Sequence, residues 1–457
     1  MTAQVNGIPS DGHTRWTGRT GRTRRTLAAT AALVALCSLA TACSSEAEEL
    51  TVVWDTPVER KAEPQGNGAW LSGDTLVRSR FDAVRGFDAR TGKRSWEYVP
   101  PGRSAVCSAV ADTDASVLVL TRDADGATPS AKGTPCGTVV AIDTRNGREI
   151  WQTPASIPEP GLHRLQPTST PTSAGGGIAM LIRKGDKKDR LEAVDVRTGK
   201  SRWKAALPKD CVPGRTRVAE RQVAALLACG GTDNPWGDKV PRDAELHAAA
   251  FDPATGALLW SAPLGGRHTV PWDARAEFVS ADPVVVAASS SGDSDSGAYY
   301  SFGGNARPNP PIDFSGPYGE IAFDQRLIAA ADATRLYVVP VHKVRNSRVD
   351  AYRLTAFDLA TGDVVWGGAD DDRLDREAAY HLLLKDGTLT VLTRRQRSSY
   401  RAFSVLDAAT GERRDVRGFP EGQDAVDTLF AYEDRLIGAR YESGTAPSKP
   451  FTAYTRP

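Results

Sequence analysis

The six cysteines are the residues of this sequence with the clearest chemistry. Cys37 and Cys43 lie near the N-terminus, and the remaining four are Cys107, Cys136, Cys211 and Cys229. Cysteines that bind a metal are closely spaced, often with roughly two to four residues between them. None of these four has a neighbour so close. The sequence therefore favours disulfide bonds in an oxidising compartment over a metal site.

Other side chains that could act as acids, bases or metal ligands are scattered. The six histidines stand at positions 13, 163, 247, 268, 342 and 381, without metal-site spacing. The acidic stretches Asp293–Asp295 and Asp370–Asp372, the latter with Asp375 and Glu377, are interpreted as solvated loops, with a calcium site in the second as the alternative. No G-x-S-x-G or Walker sequence occurs. We therefore assign no catalytic residue and no metal ligand.

The first 42 residues have the pattern of an export signal. Four arginines between positions 19 and 25 precede an apolar run, Thr26–Leu39, that is too short for a convincing membrane span. The run ends in Leu39-Ala-Thr-Ala-Cys43, which resembles a bacterial lipobox. We predict a signal peptide at 1–42, then a lipidated Cys43 with a short tether, 43–50. Ordinary cleavage near Ala42, leaving Cys43 free, is the alternative, and the export route is open.

One pattern repeats through the rest of the chain: Asp, then Thr or Asn three residues on, then Gly, and usually Trp four residues after the Gly. The copies are Asp88/Gly92/Trp96, Asp143/Gly147/Trp151, Asp195/Gly199/Trp203, Asp252/Gly256/Trp260, Asp358/Gly362/Trp366 and Asp407/Gly411, the last with Asp415 in place of Trp. Short apolar stretches flank each copy, which predicts a β-hairpin. The Asp carboxylate can accept backbone hydrogen bonds in the turn, and Gly supplies the positive φ that closes it.

The spacing of these hairpins predicts a ring of similar sheets. Successive glycines are 55, 52, 57, 106 and 49 residues apart, and the long interval predicts a degenerate copy near Ala298–Gly304. An eighth unit can be assembled from both ends, with Phe451–Tyr454 before the missing turn and Thr51–Pro57 after it. We predict an all-β propeller at 51–457, most simply with eight four-stranded blades (seven is the alternative), closed by the N- and C-terminal strands.

The repeat also orders the cysteines. We expect Cys107 and Cys136 to fall in one unit and Cys211 and Cys229 in the next. The simplest pairing is therefore Cys107 with Cys136 and Cys211 with Cys229, one of the three connectivities that four cysteines allow.

This repeat resembles that of pyrroloquinoline-quinone-type β-propellers, and the resemblance covers nearly all of residues 51–457. The family includes quinoprotein alcohol dehydrogenases and non-catalytic bacterial lipoproteins, among them the propeller subunit of the outer-membrane assembly machine. The resemblance implies that a tryptophan docks between adjacent blades. The tryptophans in question are Trp54, Trp96, Trp151, Trp203, Trp260 and Trp366. The disulfide between adjacent cysteines that many quinoprotein dehydrogenases carry has no counterpart here.

The net charge of the chain gives no indication of a nucleic-acid partner. The whole chain carries a formal charge of +1, and removing the signal, with five arginines and one aspartate, leaves about −3. We predict a monomeric, extracytoplasmic propeller, anchored to the membrane by its lipid, that serves without a cofactor as a non-catalytic scaffold for an unidentified protein, glycan or other ligand. The alternative is a quinoprotein dehydrogenase using pyrroloquinoline quinone and calcium.

Overall fold

The structure is a computed structural model. The chain divides into two units, Met1–Glu46 and Ala47–Pro457. The predicted signal at 1–42 and Cys43 lie outside the described residues, which all belong to the second unit. The described residues are 48–60, 66–123, 136–155, 173–183, 190–230, 245–264, 275–289, 297–303, 306–321, 328–342, 351–367, 377–395, 401–420, 426–441 and 447–455.

The strands form eight antiparallel four-stranded sheets, the blades of a β-propeller, which confirms the predicted fold. Blade 1 comprises Gly68–Ser72, Thr75–Ser79, Val84–Asp88 and Arg94–Tyr98. Blade 2 comprises Val106–Asp112, Val117–Arg122, Thr138–Asp143 and Glu149–Pro154. Blade 3 comprises Ser173–Gly175, Ile178–Arg183, Arg190–Asp195 and Ser201–Lys204. Blade 4 comprises Cys211–Val218, Val223–Cys229, Glu245–Phe251 and Leu258–Pro263. A short 3-10 helix, Pro101–Arg103, joins blades 1 and 2.

The second half of the ring continues the pattern. Blade 5 comprises Arg275–Ala281, Val284–Ser289, Gly297–Ser301 and Ile312–Asp313. Blade 6 comprises Ala329–Ala331, Arg335–Val338, Thr355–Asp358 and Val364–Trp366. Blade 7 comprises Glu377–Lys385, Thr388–Arg395, Arg401–Asp407 and Arg413–Gly418. Blade 8 comprises Thr428–Tyr432, Arg435–Ala439, Phe451–Thr455 and, from the other end of the chain, Val52–Asp55.

Blade 8 closes the ring as the sequence predicts. Val52–Asp55 pairs antiparallel with Phe451–Thr455, with Trp54 opposite Ala453. The Thr56 hydroxyl donates to the carbonyl oxygen of Phe451 at 2.9 Å, and Lys449 Nζ lies 2.5 Å from the carboxylate of Asp55. The two ends of the propeller are therefore joined by a backbone ladder, a side-chain hydrogen bond and an ion pair.

Two elements lie outside the repeat. Four two-residue strands, Ser315–Gly316, Gly319–Glu320, Val341–His342 and Ala351–Tyr352, form a small extra sheet. The first two follow the last strand of blade 5 in sequence, and the other two lie between the second and third strands of blade 6. Glu48–Glu49 adds a parallel fifth strand to the outer edge of blade 7, and Glu48 forms an ion pair with Arg417. Leu50, buried beside this strand, completes the attachment.

The Asp-x-x-Thr-Gly turns have the geometry that their sequence predicts. In blade 1, Asp88 Oδ1 accepts hydrogen bonds from the backbone N–H and from the hydroxyl of Thr91, both at 2.8 Å. The N–H of Gly92 donates to the Asp88 carbonyl at 2.8 Å. All six repeat glycines have φ between +67° and +79°. Because strands alternate in direction, these turns and the turns between first and second strands lie on the same side of the ring, which we call the turn face.

At five of the eight junctions a repeat tryptophan docks one blade onto the next. At Gly92, Gly147, Gly199, Gly256 and Gly411, an added Cβ would lie only 2.4–2.7 Å from the ring of a tryptophan in the preceding blade. Those rings belong to Trp54, Trp96, Trp151, Trp203 and Trp366. The indole N–H of the last four also donates to a backbone carbonyl beside the turn, at 2.9–3.1 Å. Only glycine combines this backbone with so close a ring.

Three junctions depart from this arrangement. Trp260 reaches the next blade, but it packs against Phe302 with ring centroids 5.2 Å apart, because blade 5 lacks the turn. Gly362 faces Pro310 instead of a tryptophan. Asp415, which replaces tryptophan in blade 7, bonds to Arg417 within its own strand at 2.9 Å. The degenerate blade 5 therefore joins both its neighbours by other contacts.

The hydrophobic core lies between the blades. Val119 of blade 2, for example, is fully buried in one cluster with Leu181 and Val194 of blade 3. Equivalent clusters recur around the ring. Each sheet buries both faces, which is why the strands contain continuous apolar runs.

The structure contains disulfides between Cys107 and Cys136 and between Cys211 and Cys229, the pairing expected from the repeat. The expectation that the two pairs occupy successive units is wrong, because the first pair belongs to blade 2 and the second to blade 4. Cys211 and Cys229 are register partners on the first two strands of blade 4. Both bonds are of the kind that persists in oxidising compartments, and they indicate an extracytoplasmic protein.

The turn of blade 2 predicts a pH dependence of stability. The side chain of Arg145, assisted by Arg197 at 3.1 Å, holds the pKa of Asp143 well below its usual range. A depressed folded-state pKa stabilises the fold above the ordinary carboxyl pKa of about 4, and this contribution is lost as pH falls through the folded value. We expect Asp143→Asn to remove about 1 kcal/mol at pH 7 and progressively less below pH about 4.

The free energy of unfolding in urea is measured for the wild type and for Asp143→Asn between pH 7 and pH 2. Asp252→Asn is the matched control, because Asp252 accepts hydrogen bonds from Ala254 and Thr255 of its turn and has no arginine partner in the described part of the chain. If the two substitutions gave the same pH profile, the arginine pairing of Asp143 would have no role in stability.

Candidate ligand-binding site in the central channel

The first strand of each blade lies innermost. First strands of adjacent blades contact one another from blade 2 to blade 8, and each first strand pairs only with the second strand of its own blade. Among the described residues, one backbone edge of each first strand therefore faces the axis of the ring without a strand partner. A cavity of about 590 Å³ lies there, lined by the first strands of blades 1 to 5. Its volume is in the range of about 300–1,000 Å³ that is typical of ligand pockets.

Charged side chains enter this cavity from blades 4 and 5. Arg215 Nη1 lies 3.2 Å from Glu277 Oε1, so these two charges offset each other. Arg217 Nη1 donates to the carbonyl oxygen of Phe278 at 2.8 Å, which holds the guanidinium across the junction of the two blades. Arg217 is accessible from the channel, yet enough protein surrounds it that burial lowers its pKa. Arginine remains protonated at neutral pH, so this side of the cavity is positive.

The rest of the lining is aromatic, aliphatic and hydroxyl-bearing. Trp70 enters from blade 1 and Phe278 from blade 5. The hydroxyls of Ser173 and Thr216 hydrogen-bond to each other at 2.8 Å, across blades 3 and 4. The cavity thus combines ring surfaces with a fixed cation, an arrangement that suits an anionic ligand with an apolar part.

The sequence did not single out these residues, because first strands carry no part of the repeat pattern. The repeat residues themselves lie at the blade junctions and have structural roles. His247 contacts Glu245 at 3.0 Å in blade 4, and His381 contacts Thr428 at 3.2 Å between blades 7 and 8. The two histidines whose side chains are described therefore do not share a site. Asp293, Asp295 and Asp370–Asp375 lie outside the described residues.

We tested whether the described residues suit calcium and a quinone. Calcium takes about six to eight oxygen ligands, several of them carboxylates. Glu277 is the single carboxylate in the described cavity lining, and it is paired with Arg215. Within the described ranges, one group of three potential ligands comes within coordinating distance, Cys107, Asp123 and Cys136, and its two sulfur atoms form a disulfide. The described part of the channel therefore does not fit a calcium–quinone centre.

In the portion of the chain that the structure describes, no helix has the length and apolar character needed to cross a membrane.

A closed ring of eight four-stranded blades, docked by tryptophan onto Asp-x-x-Thr-Gly turns around a central cavity, defines a β-propeller of the quinoprotein-like repeat class. The family model described as "Outer membrane protein assembly factor BamB" matches residues 8–209, 130–368 and 243–426. The chain belongs to this family.

Three curated proteins are similar over parts of the chain. Outer membrane protein assembly factor BamB of Burkholderia pseudomallei is 26% identical over 197 residues, 41% of this chain and 42% of the relative. A 1-butanol dehydrogenase (cytochrome c) of Thauera butanivorans is 29% identical over 23% of this chain and 15% of the relative. The serine/threonine-protein kinase AfsK of Streptomyces griseus is 33% identical over 35% of this chain and 18% of the relative. The chain spans less than half the length of the curated relatives that it matches.

A solved structure shares the architecture. The quinohemoprotein alcohol dehydrogenase of Comamonas testosteroni superposes with a TM-score of 0.50 and 12% identity, covering 89% of this chain and 76% of the dehydrogenase. A europium-containing methanol dehydrogenase gives a TM-score of 0.49 and 11% identity, covering 89% and 92% of the two chains. At 12% identity, the likeness to the Comamonas testosteroni dehydrogenase describes the fold alone.

Proposed function

We propose that this protein is a non-catalytic, extracytoplasmic scaffold that binds a partner protein, a glycan or another ligand through its propeller. The observation that carries the proposal is the composition of the central cavity. It offers a guanidinium, aromatic rings and free strand edges, which suit binding, whereas its described lining lacks the carboxylates of a calcium–quinone centre. Membership of a family described by an assembly factor supports the same function.

The alternative is a quinoprotein dehydrogenase, which the partial similarity to a 1-butanol dehydrogenase brings into consideration. Titrating the purified protein with pyrroloquinoline quinone and calcium, then adding alcohols and a dye acceptor, separates the two functions. We expect no alcohol-dependent dye reduction, with an authentic quinoprotein dehydrogenase as the positive control. Saturable quinone binding with dye reduction would overturn the scaffold proposal.

We propose further that a lipid on Cys43 anchors the protein to the membrane. The support is the lipobox-like sequence before Cys43 and the attachment of Glu48–Glu49 to blade 7, five residues farther on. About five extended residues reach roughly 17 Å, so the anchored propeller would stay close to the membrane.

Fractionation of producing cells tests this anchor. In Cys43→Ala we expect the protein to move from the membrane to the soluble fraction. Cys37→Ala is the matched control and should stay with the membrane, since Cys37 lies inside the predicted signal. A Cys43→Ala protein that remained in the membrane fraction would rule out anchoring through this residue.

A further inference from the structure

The free strand edges around the cavity point to the kind of ligand. In blade 2 the strand Val106–Asp112 pairs with Val117–Arg122 along one edge, and Ser108 to Ala111 line the cavity. Alternate residues of such an edge strand direct their N–H and C=O groups away from the sheet. An extended peptide can pair with groups of this kind, as in strand addition to a sheet edge.

The guanidinium of Arg217 points to the charge of that ligand. Arginine has five N–H donors, and Arg217 gives one nitrogen to the Phe278 carbonyl. Among the described residues no carboxylate contacts Arg217, whereas the nearby Arg215 is paired with Glu277. A peptide carboxylate could accept two parallel hydrogen bonds from the remaining donors of Arg217.

The position of the cavity is consistent with entry from the turn face. Trp70, Ala111, Arg217 and Phe278 each lie within three residues of the turn-face end of their strand. Trp70 and Phe278 also line the cavity and contribute apolar surface that a side chain of the ligand can cover.

We propose that the turn-face half of the channel binds the acidic end of an extended peptide, with Arg217 holding its carboxylate and the first strand of blade 2 pairing with its backbone. This inference rests on the proposed scaffold function and specifies the partner's chemistry: a protein with an acidic tail or an acidic extended segment.

Isothermal titration calorimetry of the full-length protein with N-acetylated tetra-aspartate tests the proposal. We expect saturable binding that weakens with salt, a loss of about tenfold or more in affinity for Arg217→Gln, and a smaller loss for Arg217→Lys. N-acetylated tetra-alanine amide should bind more weakly, because it lacks the carboxylates. Tetra-aspartate methylated at its backbone nitrogens should also bind more weakly, because it cannot pair fully with a strand edge.

Lys200→Gln is the matched control, since it removes the same charge from an exposed position at the turn of blade 3. We expect its affinity to stay within about twofold of the wild type, because surface charges act weakly through solvent. Thermal melting of each variant checks that the fold is intact.

The proposal would be overturned if the wild-type protein did not bind tetra-aspartate at low salt. It would also be overturned if Arg217→Gln bound tetra-aspartate with the same affinity as the wild type. Tetragalacturonate bound as tightly as tetra-aspartate would overturn it too, because the channel would then be a glycan site. These failures leave the scaffold function intact, whereas alcohol-dependent dye reduction would remove that function itself.

Discussion

Replacing Gly147 with alanine is expected to lower the free energy of unfolding by about 2–5 kcal/mol. Gly147 has φ +71°, and a Cβ there would lie 2.4 Å from the ring of Trp96. The ring cannot move aside easily, because its N–H donates to the carbonyl of Thr144 at 2.9 Å in the same turn. The substitution therefore combines backbone strain with a steric clash between blades 1 and 2, and urea unfolding measures the sum.

Gly73→Ala separates these two contributions. Gly73 also has a positive φ, +57°, but no atom lies within 4 Å of its added Cβ. We expect Gly73→Ala to lower the free energy of unfolding by about 1–2 kcal/mol, which is the contribution of backbone strain alone. Equal losses at the two positions would mean that the tryptophan does not constrain the turn.

Removing the Trp203 side chain is expected to cost about 3–5 kcal/mol in Trp203→Ala. Trp203 is 7% exposed and stacks over Gly256 of the next blade. Its indole N–H donates to the carbonyl of Pro253 at 2.9 Å. The alanine variant leaves a void at the junction of blades 3 and 4 and a carbonyl without its partner, and its unfolding midpoint in urea should fall accordingly.

Trp203→Phe retains part of the ring but loses the N–H donor. A cost of about 1–3 kcal/mol is expected for this variant, since the hydrogen bond and some contact area are lost. A phenylalanine variant as unstable as the alanine variant would show that the hydrogen bond, not the ring packing, holds the junction. An alanine variant within about 0.5 kcal/mol of wild type would contradict the docking role altogether.

The sequence was sufficient to predict the ring because the repeat marks the third and fourth strands of the blades. The Asp and Gly of each turn have local structural requirements, so their spacing reveals the period directly. Even the degenerate copy is in place: Gly297–Ser301 is the third strand of blade 5, although its turn is missing. The strands from the two chain ends pair as predicted, because Trp54 has the same position in its blade as the other repeat tryptophans.

The candidate site could not be predicted in the same way. Arg215, Arg217 and Glu277 come from two blades, and only the ring geometry brings them to one cavity. First strands differ from blade to blade, because their inner edges make no repeated contact that would select particular residues. The packing of Trp260 on Phe302 and of Pro310 on Gly362 could not be predicted either, since these contacts stand in place of the tryptophan–glycine contacts of the repeat.

Blade 8 imposes an order on biosynthesis. Thr56, beside the strand Val52–Asp55, is 395 positions ahead of its partner Phe451, so almost the whole propeller emerges before that strand can pair. Until then, an unpaired strand and the apolar flank of blade 1 are exposed in a newly made polypeptide. Such surfaces invite association between chains. Closure of the ring therefore waits for the last strand, Phe451–Thr455, which pairs with Val52–Asp55.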